Sequence, residues 1–190
     1  YAEKVTNELG DLIDIVCTIN EANLTACFAH SFQSYPEHGM KAIMPFIKEA
    51  AEECGSTLEN FGPFLFGHPF KIRDCMMEAH VKSVPIIKSI LKNNQPVGVT
   101  LSIMDYQAAE DGEEMRDKAY AESVDCCLDQ IVNDDFVGVQ MYTRHTYGPD
   151  GIIKPKADDP NMLVMGYEYY PESLENVVRY VSSKIKTPIM

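Results

Sequence analysis

Short apolar runs alternate along this chain with longer stretches whose apolar residues recur at helical spacing. Leu12-Ile13-Asp14-Ile15-Val16-Cys17 runs into Thr18-Ile19 and reads as a strand over 12–19. Val97 to Ile103 reads as a buried strand, Phe136 to Tyr142 as the next, and Thr187 to Met190 as the start of a fourth. The stretches between them read as helices. One ends at Gly10; one covers 41–54 and is stopped by Gly55. A third covers 75–92, with Asp74 as its cap, a kink expected at Pro85, and Asn93-Asn94-Gln95-Pro96 ending it. A fourth covers 113–132, with Tyr120, Val124, Cys127, Leu128 and Ile131 on one face. Leu174, Val177, Val178, Val181 and Ile185 mark the last. The resulting β-α-β-α-β-α-β order implies parallel strands joined by right-handed crossovers. A doubly wound sheet and a slice of a barrel share that pattern. The connection at about 22–72 is long, and its second half, from Phe61 to Pro69, is punctuated by Gly and Pro and reads as loop. Loops of this length in a compact domain are usually functional.

Composition narrows the function classes. A net charge of -13 argues against nucleic acid, whose phosphates demand clustered Lys and Arg. The longest apolar runs fall far short of a membrane span. The six cysteines form no CxxC pair. Five of them fall in or near expected helices and strands and read as small buried hydrophobes, which points to a reducing cytoplasm. The chain begins with Tyr1 rather than Met, which is compatible with a removed signal peptide or a preceding region.

Candidate chemistry lies at strand ends, where barrel enzymes carry their catalytic groups. In the strand at 136–142, Gly138, Gln140 and Tyr142 share one face and Val137, Val139 and Met141 the other. The apolar set should meet helices, leaving Gln140 and Tyr142 facing inward as site residues or as a hydrogen-bonded barrel layer. Asn20 and Glu21 pose a parity problem. Adjacent residues in a regular strand face opposite ways, so both reach one pocket only through a bulge or curl. Spacing alone leaves Glu21 as either a catalytic or an exposed loop residue.

Thr18-Ile19-Asn20-Glu21-Ala22-Asn23 resembles the T-F-N-E-P motif of glycoside hydrolase family 1, the β-glucosidase family. Asp135 to Thr143 is similar to that family's D-F-[IL]-G-[VIL]-N-Y-Y-T, and Met165 to Leu174 to its G-W-E-[IV]-Y-P-[EK]-G-L. Glu78-Ala79-His80-Val81 and the strand Val97–Ile103 match more loosely, and residues 31–72 depart from the pattern. The resemblance implies a partial (β/α)8 barrel, a single incomplete domain over 1–190 covering about strands four to six, their helices and the start of strand seven. It implies a retaining β-glycosidase without a cofactor, in which Glu21 is the acid/base. Asn20 contacts the sugar 2-hydroxyl, Tyr142 orients the nucleophile, and Gln140 stands at the substrate-binding asparagine of N-Y-Y-T. The family's nucleophile follows the strand that Thr187 begins and is not among these residues. Retaining enzymes need two carboxyl groups about 5–5.5 Å apart. The 190 residues alone are therefore expected not to turn over a glycoside, the remainder of the barrel coming from the same or a complementing chain.

Ala22 departs from the motif proline, which relaxes the backbone beside Glu21. Gln140 is one methylene longer than asparagine. The chain has no Trp, so Phe28, Tyr35 or Phe64 would have to supply stacking. These departures fit altered aglycone specificity, or a non-catalytic carbohydrate-binding relative. In an unrelated doubly wound protein, Asn20-Glu21 would be incidental. His30, His38, His68 and His80 lack metal spacing and read as surface or capping residues. Asp111-Gly112-Glu113-Glu114 reads as the lead-in and cap of a helix, and the Asn23-Leu24-Thr25 sequon as a chance occurrence.

Overall fold

The computed structural model describes residues 1–31, 37–62, 67–156 and 158–190, with no side chains described for 37–42. Tyr35, Phe64 and the side chain of His38 lie outside the described residues. The elements are α1 (Ala2–Leu9), β1 (Val16–Cys17), α2 (Leu24–Ser31), α3 (Glu37–Glu53), α4 (Pro69–Ile90), β2 (Val97–Ser102) and β3 (Asp105–Ala108). A composite helix follows, with α5 (Glu113–Tyr120) and α6 (Cys126–Leu128) flanking a π-helical turn at Ala121–Asp125. Then come β4 (Phe136–Gln140), β5 (Arg144–Gly148), β6 (Gly151–Ile152) and α7 (Glu172–Lys184).

β1, β2 and β4 form a parallel sheet in that order. Ile189 bridges in parallel to Val137 on the far side of β4, as expected for a fourth strand. The order is monotonic along the chain. The odd-numbered β2 residues Val97, Val99 and Leu101, with Val137 of β4, are fully buried. Val99, Leu101 and Val137 pack with Val124 and Ile131 and with Val177 and Val181 of α7, while Val97 packs with Val84 and Ile87 of α4. The apolar parity set thus meets helices, as read from the sequence. The other face carries Thr100 and Gln140. Gly138 makes room there: a Cβ on it would lie 2.6 Å from Thr100 Cγ2 of the neighbouring strand.

A second sheet, β3-β5-β6, continues the first beyond a break, with β3 and β5 parallel and β5 and β6 antiparallel. Sequence reading missed it, along with α2. It also drew the first strand too long. Leu12 and Ile15 are exposed at 82% and 47%, and only Val16 and Cys17 pair with β2. Helix α4 starts at Pro69 rather than 75, because Pro69 suits the first helical position and His68 Nδ1 accepts from Lys71 N at 3.4 Å. Asp74 is not the cap; it pairs with Arg73 at 2.6 Å. The helix runs through Pro85 to Ile90. Gly55 takes the expected left-handed φ of 65° after α3. No side chain caps α5, so the acidic 111–114 stretch contributes only Glu113 and Glu114 in its first turn. Leu174 is exposed, off the buried face of α7. Among the described residues no helix is long and apolar enough to cross a membrane.

Candidate active site

The parity problem at Asn20-Glu21 is solved by a curl. Gly98 O accepts from Thr18 N at 2.9 Å and Thr100 O from Ala22 N at 3.2 Å. A parallel ladder advances residue for residue, so two steps on β2 here match four on the first strand, and the surplus loops out. Glu21 takes a φ of 50°, a left-handed conformation uncommon outside glycine. Its backbone N–H donates to Thr100 Oγ1 at 2.9 Å. The Ala22 N–H bond is one a proline could not make. The departure from the family motif therefore adds a backbone tie beside Glu21 as it removes a restriction.

A second irregularity lies across the sheet. Ser102 pairs with Gln140 and Asp105 with Arg144, so Ile103-Met104 stand opposite three residues, Met141-Tyr142-Thr143. One extra residue is a β-bulge, a device that re-aims side chains beside active sites. Tyr142 sits at its centre.

These two irregular strand ends bring the four anticipated side chains together. Asn20 Oδ1 accepts from Gln140 Nε2 at 2.8 Å and from Thr100 Oγ1 at 3.1 Å. Tyr142 OH donates to Gln140 Oε1 at 3.4 Å. Hydrogen bonding toward the Glu21 carboxylate pushes the Tyr142 phenol up to about 12, with partial burial and the same negative charge adding to it. Glu21 Oε1 is buried with no hydrogen-bond partner. Gln140 thus reaches Asn20 directly. Thr100 was missed by sequence reading, although it lies on the same inward parity set of its strand as Gly98 and Ser102.

The surroundings fix this end of the sheet. Thr18 Oγ1 lies 2.7 Å from His80 Nδ1, and His80 Nε2 lies 3.1 Å from Asp134 Oδ2, with both side chains of that pair out of solvent. His80 is therefore neither a surface nor a capping residue. His68 caps α4 as read, whereas His30 pairs with Glu122 at 3.2 Å and is shifted down mainly by burial. Asn23 is fully buried, so its sequon is closed to glycosylation in the folded state. All six cysteines are free. Cys27 and Cys127 are buried, but Cys17, Cys54 and Cys75 are exposed, against the buried-hydrophobe expectation. Among the described residues no cluster of three or more His, Cys, Asp or Glu could hold a metal ion.

Beside Tyr142 opens a cavity of about 330 Å³ lined in part by Phe28, Met104, Ile152, Met162, Met165 and Tyr167. Tyr167 links the two, its ring centroid 5.9 Å from that of Tyr142. One wall is a bidentate pair, Arg144 to Glu168 at 2.8 and 2.6 Å, with the guanidinium 3.8 Å above the Tyr170 ring. Glu168 N also donates to Thr143 Oγ1 at 3.1 Å. The stretches 135–143 and 165–174, distant in sequence, are thereby docked on each other.

No family model matches the chain, and no curated protein matches it. Solved structures do. The chain is similar to β-glycosidase BGL167 at 31% identity and a TM-score of 0.84, covering 100% of this chain and 45% of that one. It is similar to β-glucosidase 1317 at 28% identity and a TM-score of 0.79, covering 100% and 45%. The hyperthermophilic β-glucosidase from Pyrococcus furiosus, at 24% identity and a TM-score of 0.64 over 99% of this chain and 38% of its own, shares the fold. The chain thus spans less than half the length of the structures it matches. It is a mixed α/β structure, with a parallel sheet and helices, that matches part of a β-glucosidase and supports a glycosidase-like fold.

Proposed function

We propose that the chain is part of a (β/α)8 barrel, strands four to six and the start of seven, from a retaining β-glycosidase of glycoside hydrolase family 1. The observation that carries this reading is the single network at one end of the sheet. Asn20, Thr100, Gln140 and Tyr142 are hydrogen-bonded to one another beside Glu21, whose buried Oε1 has no partner. In the reaction, Glu21 enters protonated and gives its proton to the leaving oxygen while the nucleophile attacks the anomeric carbon. Glu21 then takes a proton from water as the glycosyl-enzyme bond is hydrolysed. Asn20 Nδ2, without a partner among the described residues, donates to a sugar hydroxyl. Tyr142 steadies the nucleophile, which lies outside this chain. The cavity against Tyr167 takes the aglycone, with Phe28 in the stacking role that Trp would fill. No cofactor takes part. The outer edge of β1, unpaired among the described residues, is where the remainder of the barrel joins.

Glu21→Gln in the full-length protein tests the reading. General acid–base catalysis contributes roughly 10²–10⁴-fold, so kcat/KM on an alkyl glycoside should fall by about that factor, and far less on a dinitrophenyl glycoside. Equal loss on both, or none, removes Glu21 from the role. A second reading, a non-catalytic carbohydrate-binding relative, draws on Ala22 and Gln140 at the two departed motif positions and on the absence of Trp from these residues. A covalent adduct with a 2-fluoro glycoside, seen by intact mass, eliminates it.

A further inference from the structure

Where the curl at Asn20-Glu21 takes the main chain away from β2, the backbone groups of Ser102 lose their rung. The Asn23 side chain replaces it. Ser102 N donates to Asn23 Oδ1 at 2.8 Å, and Asn23 Nδ2 donates to Ser102 O at 2.8 Å. A side-chain amide carries the same donor and acceptor as a peptide unit, so it completes the ladder in the backbone's place. Asn23 Nδ2 also donates to Ser123 O at 2.8 Å, in the π-helical turn. Its own carbonyl accepts from Ala26 N and Cys27 N, starting α2. The residue is 0% exposed.

We propose that Asn23 is a positioning residue for Glu21, a role that rests on the acid/base reading of that carboxyl. Glu21 is held at φ 50°, a conformation that persists only where the surroundings over-determine it. Thr100 ties the near side of the curl through Glu21 N and Ala22 N. Asn23 ties the far side, to β2 and to the π-turn at once. Without it the segment relaxes toward negative φ and the carboxyl swings off its line.

The test compares Asn23→Leu and Asn23→Asp with the parent in the full-length protein. Leucine removes every bond; aspartate, held neutral by burial, keeps the acceptor for Ser102 N and one O–H donor in place of the two N–H donors. A misplacement of about 1 Å costs on the order of 10²-fold, so kcat/KM on an alkyl glycoside should fall ~10–100-fold in Asn23→Leu and less in Asn23→Asp. On a dinitrophenyl glycoside, which needs little protonation, it should fall at most a few-fold. The loss should be in kcat rather than KM, and the basic limb of the pH profile should move. A variant that melts cooperatively yet loses both substrates equally, or neither, overturns the proposal. If Asn23→Leu does not fold, Asn23→Asp is read by the same comparison. Glu21→Gln on the same two substrates separates the two ideas: retained turnover of the alkyl glycoside there defeats the acid/base reading itself.

Discussion

The ends of β1 and β4 both break the ladder beside the candidate site, and they are held in opposite ways. At β4 the bulge at Met141–Thr143 is followed at once by renewed backbone pairing, Asp105 with Arg144 and onward. At β1 a single backbone bond follows the curl, Ala22 N to Thr100 O, and the side chains of Thr100 and Asn23 do the rest. A backbone ladder tolerates many side chains. A side-chain ladder tolerates few. The end that carries Glu21 is therefore the one whose geometry depends on individual residues, and the Tyr142 end is the one whose geometry depends on the fold.

The sharpest way to break this contrast is Thr100→Val. The change keeps the shape and deletes the acceptor for Glu21 N and the donor to Asn20. On the proposed acid/base reading of Glu21, it should cut the full-length protein's kcat/KM on alkyl glycosides ~10–100-fold through misplacement of that carboxyl, with activated substrates largely spared. A flat response across leaving groups would put both ends on the same footing.

His145 of β5 probes the other end. Burial pushes its imidazole from 6.5 down to about 4, so the folded chain holds it neutral where the unfolded chain takes up a proton. The contribution of His145 to stability should be level above pH 6.5 and fall between pH 6.5 and 4, by up to about 3 kcal/mol. His145→Gln should remove that part of the loss in thermal melts. If leaving-group discrimination also collapses within it, before unfolding, the β5 end sets the aim of Glu21 as well.

The smallest effect concerns Tyr142. The Glu21 carboxylate opposes loss of the phenol proton and holds it at about 12. Glu21→Gln removes that charge, so the phenol should titrate closer to its ordinary 10, read by ultraviolet difference against Tyr142→Phe.

Much of the sheet was legible because β2 and β4 are buried runs whose inward and outward sets follow strict alternation. The curl was legible as a contradiction, two neighbours required on one side, although nothing local said how it is held. Thr100 was within reach, since parity places it with Gly98 and Ser102. Asn23 was not: its partners Ser102 and Ser123 are remote in sequence, and a buried amide looks the same as an exposed one. Helix α2 hid because Thr25 and Ser31 are buried beside Ala26 and Cys27, which erases the usual two-sided pattern. Strands β3 and β5 hid because Asp105-Tyr106-Gln107 and Arg144-His145-Thr146 are polar, and only the ladder behind them makes them strands. Leu12 and Ile15 misled in the other direction, apolar yet exposed.

The π-helical turn at Ala121–Asp125 has a bearing on sequence length as well as on shape. Each i→i+5 bond encloses one residue more than an α-helical one, so such a turn takes up one extra residue within a helix. Its carbonyls at Glu122 and Ser123 are taken by Arg73 and Asn23. Removing one residue here would restore a regular helix, leave the turns on either side in phase, and draw those carbonyls back into the helix's own bonds. A relative one residue shorter across this turn would hold Asn23, and the curl at Glu21, in a different way.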